Sequence, residues 1–133
     1  ILGIILSSAT TDNLDKSIRN SIVKESIREV LEGFQKNPSD YENEIKSLEE
    51  VLNSDKIFAW GISSENGKDV YKNISRGDTL YLSENESDAF QYRAFVTTII
   101  RNGSGLASLI WGDSDDMTVC FLENVSEIKL ERE

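Results

Sequence analysis

No histidine occurs in the chain, so the commonest general base and the commonest metal ligand are both missing. A serine or cysteine nucleophile would need such a base beside it. The single cysteine, Cys120, can form no internal disulfide. It lies in an apolar strand-like run and reads as a buried thiol in a reducing, cytoplasmic compartment. With neither histidine nor a second cysteine there is no ligand set for zinc, and no metal or cofactor is expected. Long apolar runs are also missing. Ile1 to Leu6 is apolar, but a membrane span needs about 20 such residues and a secretion signal a basic start. That stretch is expected as a buried segment or a scar of excision, since a start at Ile1 rather than Met suggests a piece of something longer. Asn-x-Ser sequons at Asn73, Asn85, Asn102 and Asn124 then carry no meaning beyond an Asn- and Ser-rich composition.

Basic residues are scarce: 14 Lys and Arg stand against 24 Asp and Glu, a net charge of −10. This excludes a surface that binds nucleic acid indiscriminately, but not a local basic face. Neither a Gly-x-x-x-x-Gly-Lys loop nor a Gly-x-Gly-x-x-Gly loop occurs. Asp113, Asp115 and Asp116 lack the central glycine and closing glutamate of a calcium loop and read as a solvated turn. No carboxylate pair sits in an apolar setting that would suit it to acid catalysis. The chain reads as a binding domain, with any catalysis in another domain or subunit.

What is present is a change of period. From Asp12 to Phe34, apolar residues at Leu14, Ile18, Ile22, Val23, Ile27, Val30, Leu31 and Phe34 repeat at helical spacing, with Thr11 or Asp12 as cap and Gly33 and Pro38 at the end. A second helix is predicted from Ser39 or Asp40 to Leu52, with an acidic outer face of Glu42, Glu44, Glu49 and Glu50. Residues 1–54 are therefore expected as a helical leader or connector. From Asp55 the pattern turns strand-like. Strands are predicted at Ile57 to Ile62, Thr79 to Leu82, Phe90 to Ile100, Met117 to Leu122 and Ile128 to Leu130. A helical turn is expected at Asp69 to Ile74 and a short helix at Leu106 to Trp111. The fold class predicted is α+β: residues 55–133 form a small, curved, barrel-like sheet with short flanking helices, preceded by a helical hairpin.

The informative aromatic residues stand next to flexible backbone: Trp60 before Gly61, Tyr71, Tyr92, and Trp111 before Gly112. Half-exposed Trp and Tyr are the usual means of stacking on a flipped or single-stranded base. Equally, the two tryptophans suit core plugs at the ends of a small barrel. Arg76-Gly77-Asp78 matches an adhesion tripeptide but reads as a turn into a strand.

Taken together, Phe58-Ala-Trp-Gly-Ile62, Val70-Tyr-Lys-Asn-Ile74, Gly77-Asp-Thr-Leu-Tyr-Leu82, Tyr92-Arg-Ala-Phe-Val96, Leu106-Ala-Ser-Leu-Ile-Trp-Gly112 and Phe121-Leu-Glu-Asn-Val125 form a pattern that resembles the PUA-like superfamily. The nearest likeness is to the EVE- and YTH-like modified-base readers of McrB-type, modification-dependent restriction systems in prokaryotic defence. The resemblance covers about Asp55 to Leu130. It implies a curved sheet that extrudes one nucleotide into an aromatic cage, at a flipping cost of a few kcal/mol. By that resemblance Trp111 would be one wall of the cage and Tyr71 the other, where such readers often have Trp, with Trp60 as competitor and Tyr92 nearby. Ser63, Asn66 and Asp113 would meet the polar edge of the base. Lys68, Lys72, Arg76, Arg93 and Arg101 would contact the phosphate backbone.

The partner implied is nucleic acid, methylated DNA first and modified or structured RNA as the alternative, with a nuclease or AAA+ domain in the same chain or complex and no membrane. A reading of another class is an acidic protein-interaction domain whose helical hairpin docks a partner and which has no base pocket.

Overall fold

Ile4–Ala9 forms the first strand, β1, with Ile5 and Ala9 buried and Ile4 and Leu6 exposed, the alternation of a half-buried strand. The computed structural model describes residues 3–63, 74–85, 89–101, 104–112 and 117–131. Because a strand comes first, the expectation that a helical hairpin opens the chain is corrected. Six apolar residues in a row had carried no period by which to tell strand from helix.

The single helix expected from Asp12 to Phe34 is two helices. Helix α1, Thr11–Ser17, is capped by Thr10, whose hydroxyl accepts from the Asn13 amide at 3.2 Å. The chain then runs non-helically to Val23, and the Ile22 amide donates to the Ile57 carbonyl at 2.7 Å. Helix α2 follows at Lys24–Gln35 and α3 at Glu42–Leu52. Leu14, Ile18, Ile22 and Ile27 are all buried, so the helical spacing of apolar residues persists across a break that it does not reveal. Helices α2 and α3 pack through Ile27, Val30, Leu31, Leu48 and Val51 into the same hydrophobic cluster as the sheet.

The remaining strands are β2 (Phe58–Ser63), β3 (Thr79–Glu84), β4 (Ala89–Ile100) and β5 (Met117–Glu131), with helix α4 (Ser104–Trp111) between β4 and β5. Their order is β1-β3-β4-β5-β2; β1 and β3 are parallel and the other neighbours antiparallel. The two C-terminal strands expected are one strand, bent where Asn124 and Val125 together face Ala94 and Asn124 takes a φ of 52°. Along β4 every second residue from Phe90 to Ile100 is buried, while Val119 to Leu122 of β5 are buried without alternation, as in a strand covered on both faces. The sheet curls into a half-barrel. Its two edge strands, β1 and β2, meet where the Trp60 indole N–H donates to the Ser7 hydroxyl at 3.2 Å. The helical turn expected at Asp69 to Ile74 lies, apart from Ile74, outside the described residues. Among the described residues, no helix is long and apolar enough to cross a membrane.

Candidate nucleic-acid interface

Strand β2 ends at Ser63, which pairs with Met117 at the start of β5, and α4 ends on Trp111 and Gly112, the latter with a φ of 74°. The two tryptophans are thereby brought together, their rings edge to face at a centroid distance of 6.1 Å. Both lie in the core, Trp60 at 6% and Trp111 at 9% exposure. The Trp111 indole N–H donates to the Ser17 hydroxyl of α1 at 3.1 Å, as that of Trp60 does to Ser7. No aromatic cage is formed by the described residues. Of the two readings of the tryptophans, the core plug is the one that describes their surroundings, because each N–H is satisfied inside the protein.

Tyr92 is separate from this pair. Its hydroxyl accepts from Arg19 Nε at 2.8 Å, and the Arg19 guanidinium lies 5.6 Å from its ring centroid. Arg19 also bridges Glu84 on β3 at 3.0 Å and Asp15 on α1 at 3.1 Å. Hydrogen bonds from Arg19 first, and then from Thr11, hold the Glu84 carboxyl below its ordinary value. The same carboxylate, with Tyr92 and Asp15, keeps Arg19 firmly protonated. Burial pushes the Cys120 thiol up to about 12, so it is neither a nucleophile nor a ligand at neutral pH.

The Gly77-Asp78 step has a specific task. Gly77 turns the chain at a φ of 91°, and the Asp78 carboxylate, 3% exposed, accepts from the Gly3 amide and the Ser75 amide, each at 2.8 Å. The Asp78 carbonyl takes the Val96 amide as well. This buried clamp, joining the start of β1 to the turn before β3, leaves no exposed carboxylate for an adhesion tripeptide.

Among the expected polar and basic site residues, Asn66, Lys68, Tyr71, Lys72 and Asp113 and the side chain of Ser63 lie outside the described residues. Arg76, Arg93 and Arg101 are exposed. Arg93 sits mid-strand on β4, and Arg101 comes eight positions later, about 26 Å away along an extended strand, so these two do not form one compact cluster. Arg101 donates to the Ile74 carbonyl at 3.0 Å and so holds the chain where the described structure resumes after Tyr71 and Lys72. Arg76 lines a cleft of about 420 Å³ beside Phe58, Thr97, Phe121 and Asn124, at the end of β2 opposite Ser63. Among the described residues no group of three or more His, Cys, Asp or Glu is placed to hold a metal ion.

Sequence reasoning missed Ser7, Ser17 and Arg19, which position Trp60, Trp111 and Tyr92. They are ordinary polar residues 53, 94 and 73 positions from their partners, and no local pattern marks such a pairing.

No family model matches the sequence, and no curated protein matches it. Among solved structures, the N-terminal domain of Thermococcus gammatolerans McrB bound to m5C DNA is similar over 96% of this chain and 76% of that one, with a TM-score of 0.53 and 15% identity. The likeness takes in β1 and the helices of the first third as well as the sheet, a wider extent than the resemblance read in the sequence. That resemblance, to the EVE- and YTH-like domains of McrB-type systems, holds at the level of fold: this chain folds as the McrB N-terminal domain does.

Proposed function

We propose that this chain is a non-catalytic specificity module that reads a modified base in DNA, 5-methylcytosine first, and directs an attached or associated nuclease or NTPase to it. The observation that carries the reading is the shared fold over 96% of the chain with a domain solved bound to m5C DNA. The local chemistry agrees with it. Trp60 and Trp111 pack edge to face in the core, and Ser63 and Asp113 follow them by three and two residues, with Asn66 and Tyr71 further along the same connection. An extruded base would stack on Tyr71, at roughly 1–3 kcal/mol per base, and pair its polar edge with Ser63, Asn66 and Asp113. Lys68, Lys72, Arg76, Arg93 and Arg101 would supply phosphate contacts, with Arg101 also fixing the chain after Tyr71.

A molecule of net charge −10 can engage few phosphates, so affinity rests on the flipped base rather than on the backbone. The slope of log K against log salt, roughly −0.9 per phosphate neutralised, should then be shallower than about −5. The test is competition between a methylated duplex, its unmethylated twin and a matched RNA, with Tyr71→Ala and Asn66→Ala beside the unaltered chain. Preference for the methylated duplex, lost in both variants without loss of melting temperature, supports the reading. Preference for the RNA, or variants that bind as the unaltered chain does, would overturn it.

A further inference from the structure

Helix α2, its connection to α3, and helix α4 leave an open groove of about 440 Å³ on the face built by Val30, Gly33, Phe34, Tyr41 and Leu109. Its aromatic wall is the half-buried pair Phe34 and Tyr41, with ring centroids 4.7 Å apart. Leu109 is 42% exposed over it, although its neighbours on α4, Leu106, Ala107 and Ile110, are buried.

Two further observations say what this groove suits. The first is Gly33, which stands inside α2 where a glycine weakens a helix. A Cβ there would meet nothing within 4 Å, and no positive φ requires the glycine. Packing and backbone conformation thus give no reason for the missing side chain; what its absence leaves is room in the groove. The second is charge. Among the described residues, Glu29 is the one charged residue lining the groove, and no lysine or arginine lines it. Glu25, Glu29 and Glu32 follow one another at helical spacing along the adjoining edge of α2, and among the described residues only Glu25 has an ion pair, with Arg28.

We propose that this groove docks a cationic amphipathic helix of a protein partner, with apolar side chains between Phe34, Tyr41 and Leu109 and lysines or arginines along Glu29 and Glu32. Such a helix presents anchors at intervals of three and four residues to an apolar groove, and complementary charge fixes its direction. None of the residues lining the groove is among those proposed to read the base.

The test measures anisotropy of a labelled amphipathic peptide of about 18 residues, with leucine on one face and lysine on the other. An acidic counterpart with glutamate in place of lysine and a scrambled lysine peptide serve as controls. Three variants of the full chain are compared: Leu109→Asp, Glu29→Lys, and Gly33→Met, which fills the groove at a position with free space around it. The cationic amphipathic peptide should bind, with Leu109→Asp and Gly33→Met each weakening it about tenfold or more. Glu29→Lys should weaken it several-fold, less so at high salt. All three should melt cooperatively and bind methylated duplex as the unaltered chain does. The proposal is overturned if the peptide fails to bind at about 1 mM, if the scrambled or acidic peptide binds as well, or if binding survives both Leu109→Asp and Gly33→Met. It is equally overturned if sedimentation shows that Leu109→Asp splits a dimer, since a second copy would then be the occupant.

Discussion

The interior aromatics Trp60, Trp111 and Tyr92 and the outer pair Phe34 and Tyr41 are built on opposite plans. Each interior side chain is buried and has its polar atom held by a residue from the first 19 positions: Ser7, Ser17 and Arg19. The outer pair is half-buried, touches itself, and borders an open groove. Aromatic residues beside glycines therefore say little about which ring meets a ligand. Burial of the ring together with the partner of any polar atom decides it, because an enclosed ring has no face to stack on and a satisfied N–H no further bond to offer.

The comparison breaks most severely if the first third is removed. A chain lacking residues 1–54 loses β1, the hydroxyl partners of both tryptophans, and buried Leu14, Ile18, Ile27, Leu31 and Leu48. Five such side chains, at roughly 1.5–3 kcal/mol each, amount to as much as an ordinary domain's whole stability of about 5–15 kcal/mol. The truncated chain should show no cooperative melt by circular dichroism; a cooperative one would mean that the interior aromatics do not need these partners.

Single substitutions sharpen the same contrast. Trp111→Ala should cost about 3–5 kcal/mol in a denaturant titration, as removal of a large buried aromatic does. Tyr41→Ala, at a half-buried position bordering open space, should cost less than about 1.5 kcal/mol. Equal costs would erase the distinction between plug and groove wall.

The smallest expected effect is on pH. Glu84 has its carboxyl lowered in the fold by Arg19, so the fold gains stability above the ordinary value of 4.5 and loses it as the pH falls through the lowered value. Below about pH 4.5 the melting temperature should drop less steeply in Arg19→Met than in the unaltered chain. Parallel pH profiles would show that the Arg19–Glu84 bridge contributes nothing.

How much of this was legible follows from the range of each signal. The alternation of Tyr92, Ala94, Val96, Thr98 and Ile100 is local: the strand predicted at Phe90 to Ile100 is β4, and these five residues share its buried side. The break between α1 and α2 left no trace, because Ile18 and Ile22 remain buried although the chain there is no longer helical. Strand β1 was unreadable because its place is set by pairing with β3 some 75 residues away, through the Asp78 clamp on Gly3. For the candidate site, the sequence found both tryptophans and their closeness to glycine. It could not show that α1 and β1 cover them, since Ser7 and Ser17 carry no signature beyond being serines.

The central claim is that this chain recognises a modified base, and its most direct measurement is equilibrium competition for the unaltered chain between a duplex carrying one 5-methylcytosine and the same duplex without it. The account predicts that the methylated duplex binds at least about tenfold tighter, or about 1.4 kcal/mol, with the preference maintained as salt is raised. Equal affinity for the two duplexes, falling together with salt, would contradict it.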